Sequence, residues 1–309
     1  MKSVMKNLVK YFIIIIFLFE IVSCNDPIPT ELVPIDEQTD NLDVQVLSPE
    51  PNEFVYSNGY DSTGVIEPMP HNSNIIILSG IKYSLNGNVF KSGNANAIFF
   101  NRAMPILNRG GRIIGFRSRY IGRIKFDNDT AKVVPARIPI MNAGVRSDTL
   151  IGLRYILKYH DEFHPNRKPF PYNSNVNVQI NPTMGNRIQF NLTVPQEITG
   201  RVKVIGKRSE GNLKLELNWN AGQTGKIEII LGGIPKGETG VFPLLKFETK
   251  DDGFLRIPTR YIQPIPFGRF DKIVLTFIRK IGKKITNNNS LNDNFIAAQS
   301  IHNIIFEVQ

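Results

Sequence analysis

The stretch "NLKLELNW", residues 212–219, puts Leu213, Leu215, Leu217 and Trp219 on one side of an extended chain and Asn212, Lys214, Glu216 and Asn218 on the other. Successive side chains of a strand point to opposite faces, so this alternation describes a half-buried antiparallel β-strand with one wet face. The same period recurs at Val176, Val178 and Ile180, and at Ile188, Phe190, Leu192 and Val194. Residues 75–83, 112–126, 150–159, 201–205, 226–231, 272–278 and 301–308 are further strand candidates. Turn-forming clusters, "LNGN", "NRGG", "NAGQTG" and "KDDG", punctuate them. "FETKDDGFLRIP", residues 247–258, predicts a hairpin whose turn ends on Gly253, a residue free to take positive φ. Only "FIAAQSIHNI", residues 295–304, admits a helical turn or two.

So many short strands at this spacing predict an all-β protein built from antiparallel β-sandwiches. The chain has 309 residues, enough for one large or two ordinary domains. The predicted boundary falls at Pro195-Gln196-Glu197-Ile198-Thr199, giving one sandwich over 44–194 and a second over 198–309. The second half resembles an immunoglobulin or fibronectin type sandwich, with roughly seven strands and a tryptophan, Trp219, in an early strand. It lacks the paired cysteines of antibody domains, so the likeness concerns architecture.

The start of the chain reads differently. Lys2, Lys6 and Lys10 precede nine consecutive apolar residues, 11–19, and Glu20 closes the run. A charged head followed by a short apolar core is the pattern of a secretory leader, and the run is too short for a spanning helix. The leader closes on Ile21-Val22-Ser23-Cys24, which resembles the lipobox of bacterial lipoproteins. That resemblance implies a signal peptide over 1–23 and a diacylglyceryl group on the Cys24 thiol. It further implies export and a lipid anchor in the bacterial envelope, as the link to a membrane. Asn25 follows the cysteine, so the Asp-based retention signal of enteric bacteria is missing and the outer membrane is the expected address. Cys24 is the sole cysteine, which excludes a disulfide within the chain. Residues 24–43, rich in proline and acid, predict an extended tether.

Charge is unevenly distributed. Residues 24–50 hold seven acidic side chains and no basic one, while the chain as a whole carries +10. Outside leader and acidic stretch the balance is about +15. A body so basic is drawn to polyanions such as lipopolysaccharide or acidic glycans, or is simply kept soluble. Basic residues concentrate over 102–137, interleaved with Phe116, Tyr120 and Phe126. Arg117, Arg119 and Arg123 are the candidate polyanion-binding residues, since guanidinium forks suit phosphate and carboxylate; a solvated face is the plainer reading. Nucleic acid is not an expected partner, because the aromatic and glycine signature of an RNA-binding sheet is missing. Envelope proteins and acidic glycans are.

No catalytic order is written here. "HDEFH", residues 160–164, spaces His160 and His164 as in zinc proteases, but Asp161 stands where their glutamate would be, and Pro165 follows. Asp251 and Asp252 lack the spacing of a calcium loop and read as turn residues. No metal site, cofactor or catalytic residue is therefore assigned. A carboxylate pair for glycan cleavage is spatial, and no feature of the sequence picks one out. The expected function is a non-enzymatic binding, adhesion or assembly module, with an envelope glycan-active enzyme or a polyanion binder as alternatives.

Overall fold

The computed structural model describes residues 43–47, 74–85, 87–107, 111, 113–142, 145–222, 225–237, 241–285 and 294–306. The strands of the first half are β1 (Asp43–Val46), β2 (Asn74–Leu85), β3 (Asn88–Ile98), β4 (Phe100–Leu107), β5 (Ile113–Ser118), β6 (Gly122–Phe126), β7 (Asp129–Thr130), β8 (Lys132–Asn142), β9 (Val145–Lys158), β10 (Asn175–Pro182) and β11 (Ile188–Thr193). Those of the second are β12 (Gly200–Ile205), β13 (Lys214–Trp219), β14 (Lys226–Pro235), β15 (Phe242–Lys250), β16 (Phe254–Ile257), β17 (Phe270–Ile285) and β18 (Asn294–Phe306). A single α-helical turn, Thr259–Ile262, interrupts the extended chain among the described residues.

Nine strands form one large sheet in the order β1-β15-β14-β17-β18-β2-β3-β9-β8. Its neighbours are antiparallel except β18 and β2, which run parallel from Asn294 opposite Asn74 to Ile305 opposite Leu85. Two small sheets, β11-β10-β6-β7 and β12-β13-β16, face it, and β4 and β5 make a separate hairpin. Alternation decides what each strand gives to each face. Even-numbered residues of β18 look inward: Ile296 and Ala298 enter one core, Ile304 packs against the other. The first core lies under β10 and β6, where Val176, Val178, Ile180, Ile124 and Phe126 meet Ile76, Leu78 and Tyr155. The second lies under β13 and β16, where Leu215, Leu217, Trp219 and Ile257 meet Ile229, Leu231, Phe247 and Phe277. In this half three strands, β12-β13-β16, face the β1-β15-β14-β17-β18 part of the large sheet in a sandwich-like arrangement.

The expected boundary at 195–199 is the passage from β11 to β12, and the large sheet continues across it. β2 and β3 of the first half are joined through β18 to β17 and β14 of the second. β1, at the head of the expected first sandwich, pairs with β15 and places Val44 against the second core. The parallel pairing of β2 and β18 fuses the two sandwiches, joining residues 220 apart in sequence.

Three local expectations also change. The 112–126 segment is two strands, because Arg119 and Tyr120 lie between a hairpin on one face of the large sheet and β6 on the other. The 247–257 segment is no hairpin: β15 pairs with β14 and β1, whereas β16 pairs with β13 in the opposite sheet. Gly253 does take positive φ, +98°, while carrying the chain between sheets. The 295–304 segment is strand throughout, since β17 and β2 satisfy its backbone on both sides. Pro135 and Pro139 lie in β8, an edge strand, where a missing N–H is tolerated and stray pairing is discouraged.

Between the two cores the inner face of the large sheet carries a row of register partners, Arg279, Ser300, Gly80 and Gly93. The two glycines admit rings. A Cβ on Gly93 would stand 2.7 Å from the Phe170 ring, and one on Gly80 would collide with Tyr172 and Phe170. We expect Gly80→Ala to lower stability by about 1–3 kcal/mol through overpacking, read as a lower urea midpoint with unchanged slope.

Candidate functional site

Cys24 and the leader lie outside the described residues. Arg117 on β5, Arg119 in the link and Arg123 on β6 are all exposed, and none forms an ion pair among the described residues. They do not form one arginine-lined sheet, because β5 and β6 belong to different sheets. Phe116 is buried behind Arg117 as alternation predicts, whereas Tyr120 is exposed and stacks on Tyr155 at 6.0 Å.

His160 and His164 sit on a turn and not on a helix. His164 Nδ1 lies 2.7 Å from Asp161 Oδ1, and Arg167 Nη1 donates to Asp161 Oδ2 at 3.1 Å. His164 and Arg167 hold the Asp161 carboxyl below the usual carboxylate range. His160 Nδ1 contacts the Pro165 carbonyl at 3.2 Å. These contacts close the turn on itself. No cluster of three metal-ligating side chains occurs among the described residues.

Asp251 has a structural task that sequence reasoning gave to a turn. Its carboxylate accepts from Arg279 Nε at 2.7 Å and Nη2 at 2.8 Å, and from Trp219 Nε1 at 3.0 Å. Both members of the ion pair are sealed from solvent, at 0% and 1% side-chain exposure. The guanidinium also donates to the carbonyls of Asn220 at 2.5 Å, Gln196 at 3.3 Å and Glu197 at 3.5 Å. Gly222 leaves room for the pair, since a Cβ there would sit 2.5 Å from Arg279 Cζ.

A dense polar cluster surrounds the 195–200 link where it crosses the large sheet. Glu197 pairs with Lys91 at 2.9 Å and approaches Lys82 at 3.8 Å. Lys82 Nζ donates to Thr199 Oγ1 at 3.0 Å, and burial lowers its pKa against the pull of Glu197. Asn220 accepts from Thr199 N and donates to the Glu197 carbonyl, at 2.6 and 2.7 Å. Ser300 Oγ accepts from Ile198 N at 2.8 Å, and burial raises the pKa of the Tyr172 hydroxyl against a lowering by Ser300. His302 completes the row: Nδ1 accepts from Gly200 N and Nε2 contacts Ser84 Oγ, each at 2.8 Å.

The Ser84–His302 pair has the spacing of a nucleophile and its base, and its hydrogen bonding decides against that role. Nδ1 receives a backbone N–H, so it carries the lone pair and the proton sits on Nε2. Nε2 therefore donates to Ser84 Oγ and has no lone pair with which to take the serine proton. Burial among Lys82 and Lys91 also pushes the His302 pKa down to about 4. The cluster is built to fix the chain: five residues of the link, 196–200, are held by side chains from β2, β3, β17, β18 and the residue after β13. The sequence signal for it lay in polar residues at inward positions, Lys82, Arg279, Ser300 and His302, flanked by strongly apolar strand segments.

No family model matches this chain, and no curated protein matches it.

Proposed function

We propose that the protein is a cell-envelope lipoprotein, anchored through Cys24, whose β-sandwich body serves binding, adhesion or assembly and not chemistry. The observation that carries this reading is the leader ending on Ile21-Val22-Ser23-Cys24, followed by an acidic, proline-rich stretch that leads toward β1. The commitment of His302, Ser300 and Arg279 to holding the 195–200 link supports the non-enzymatic part, since these buried polar groups already have structural partners. Two or three acyl chains give stable anchoring where one gives only marginal binding. Growth with a clickable palmitate analogue should label the wild-type protein, and Cys24→Ala should lose the label and leave the membrane fraction. Labelling that survives Cys24→Ala would sink the anchoring reading. The polyanion reading is favoured by one specific observation, the exposure of Arg117, Arg119 and Arg123 without ion pairs among the described residues.

A further inference from the structure

Residues 74–126 contain nine basic side chains and no acidic one. In the middle of that stretch β4 and β5 form a hairpin on the outer face of the large sheet. Phe100, Ile106 and Phe116 turn inward onto Ile75, Ile77 and Ala297. The outward side is not the polar surface that a solvated hairpin presents. Met104, Leu107 and Ile113 are 48%, 54% and 53% exposed. Leu107 stands directly opposite Ile113 across the ladder, so their side chains share a face. Exposed Arg117 follows on the same strand, with exposed Arg119 just beyond it.

We infer that the β4–β5 hairpin is a membrane-contact element, setting Leu107 and Ile113 into the headgroup layer of an anionic bilayer while Arg117 and Arg119 bind lipid phosphates. Aliphatic side chains beside unpaired guanidiniums match a negatively charged boundary between water and hydrocarbon. An acidic polysaccharide offers the charge and no apolar phase for Leu107 and Ile113. A stable protein interface takes about 800 Å² from each partner, more than three half-exposed side chains supply.

The register of β1 agrees with this placement. Asp43 is level with Glu248 and Ile278, and Val46 with Leu245 and Leu275, so the N-terminal end of β1 points the way β17 climbs toward Ile285. Ile75, Ile77 and Ala297, on which the hairpin rests, lie at that same end of the sheet. Cys24 is 19 residues upstream of Asp43, a reach of up to roughly 60 Å when extended. The inference rests on the envelope reading only for the presence of a bilayer within that reach.

The test uses the leaderless chain 25–309, which retains the compact unit beginning at Asn41 and so every core residue named above. It should float with vesicles of phosphatidylcholine and phosphatidylglycerol, not with phosphatidylcholine alone, and added salt should weaken the binding. Leu107→Asn with Ile113→Asn should weaken it roughly tenfold, and Arg117→Glu with Arg119→Glu by at least about as much. Leu107→Trp should shift its emission to the blue with anionic vesicles, over a steady background from Trp219, which is buried. No flotation, or flotation indifferent to the apolar pair, overturns the inference. Loss of vesicle and dextran sulfate binding together in the arginine pair, with the apolar pair silent, assigns the surface to an acidic polymer instead. None of these outcomes depends on Cys24, so the anchoring reading stands or falls separately.

Discussion

Asp251→Ala is expected to remove about 3–5 kcal/mol of folding stability, because it strands a fully buried guanidinium without its counter-charge. That is a large share of the roughly 5–15 kcal/mol by which folded domains exceed their unfolded chains. Arg279 has no exposure with which to recruit water, and its remaining acceptors are neutral carbonyls of residues 196, 197 and 220. Trp219 Nε1 loses its acceptor in the same substitution. Urea unfolding followed through Trp219, the chain's only tryptophan, measures the change beside the lesion. Combining Asp251→Ala with Arg279→Met should recover part of the loss, since an apolar side chain leaves no orphaned charge. A double variant less stable than Asp251→Ala alone would show that the guanidinium's bonds to the link outweigh its buried charge.

Stability should also fall as the medium is acidified from about pH 6.5 toward pH 4, through His302. In the unfolded chain the imidazole titrates near 6.5, and in the folded protein it is pushed down to about 4 by burial first and then by Lys82 and Lys91, with Glu197 opposing. The unfolded state therefore binds more protons across that window. The contribution is complete above the unfolded value and is lost as pH drops through the folded one, about 3 kcal/mol in all. Protonation would also put a proton on Nδ1, against the N–H of Gly200. Unfolding midpoints measured at intervals between pH 7 and pH 4 should slope downward in the wild type and flatten in His302→Gln, itself less stable at pH 7. An equal slope in both would remove His302 as the cause. The lowered carboxylates, Asp161 and Glu216, contribute only toward the acid end of this window and do so equally in wild type and His302→Gln.

What local sequence could express was the part of the fold whose faces are uniform. Leu213, Leu215, Leu217 and Trp219 all point into one core, so alternation over 212–219 reads out the strand, its inner face and its place under a second sheet. The long strands were less legible because they cross from one core to the other. Inward positions of β17 change from Phe277 to Arg279, and those of β18 from Ala298 to Ser300 and His302, so the apolar period breaks in mid-strand. β18 is buried on both faces over 296–303, which erases alternation and leaves a run resembling a buried helix. The 250–253 turn chemistry is the same whether the chain folds back or crosses to another sheet. A distant residue, Arg279, decides by drawing Asp251 inward. The candidate arginines were legible as exposed, and the break at Arg119 and Tyr120 that divides them between two faces was not.

The last described strand has a consequence for the order in which the protein can assemble. β18 supplies Ile296 and Ala298 to the first core and packs Ile304 and Phe306 against the second, and β2 finds its parallel neighbour only there. Both cores draw on residues 294–306, so the strands of the first half gain their full set of neighbours only once β18 is in place. Loop closure over some two hundred residues makes such a step slow, and it leaves apolar strands such as "IIIL", residues 75–78, uncovered in the meantime. A chain that stays open until β18 arrives leaves those apolar strands exposed to one another for longer than one whose two sandwiches close independently.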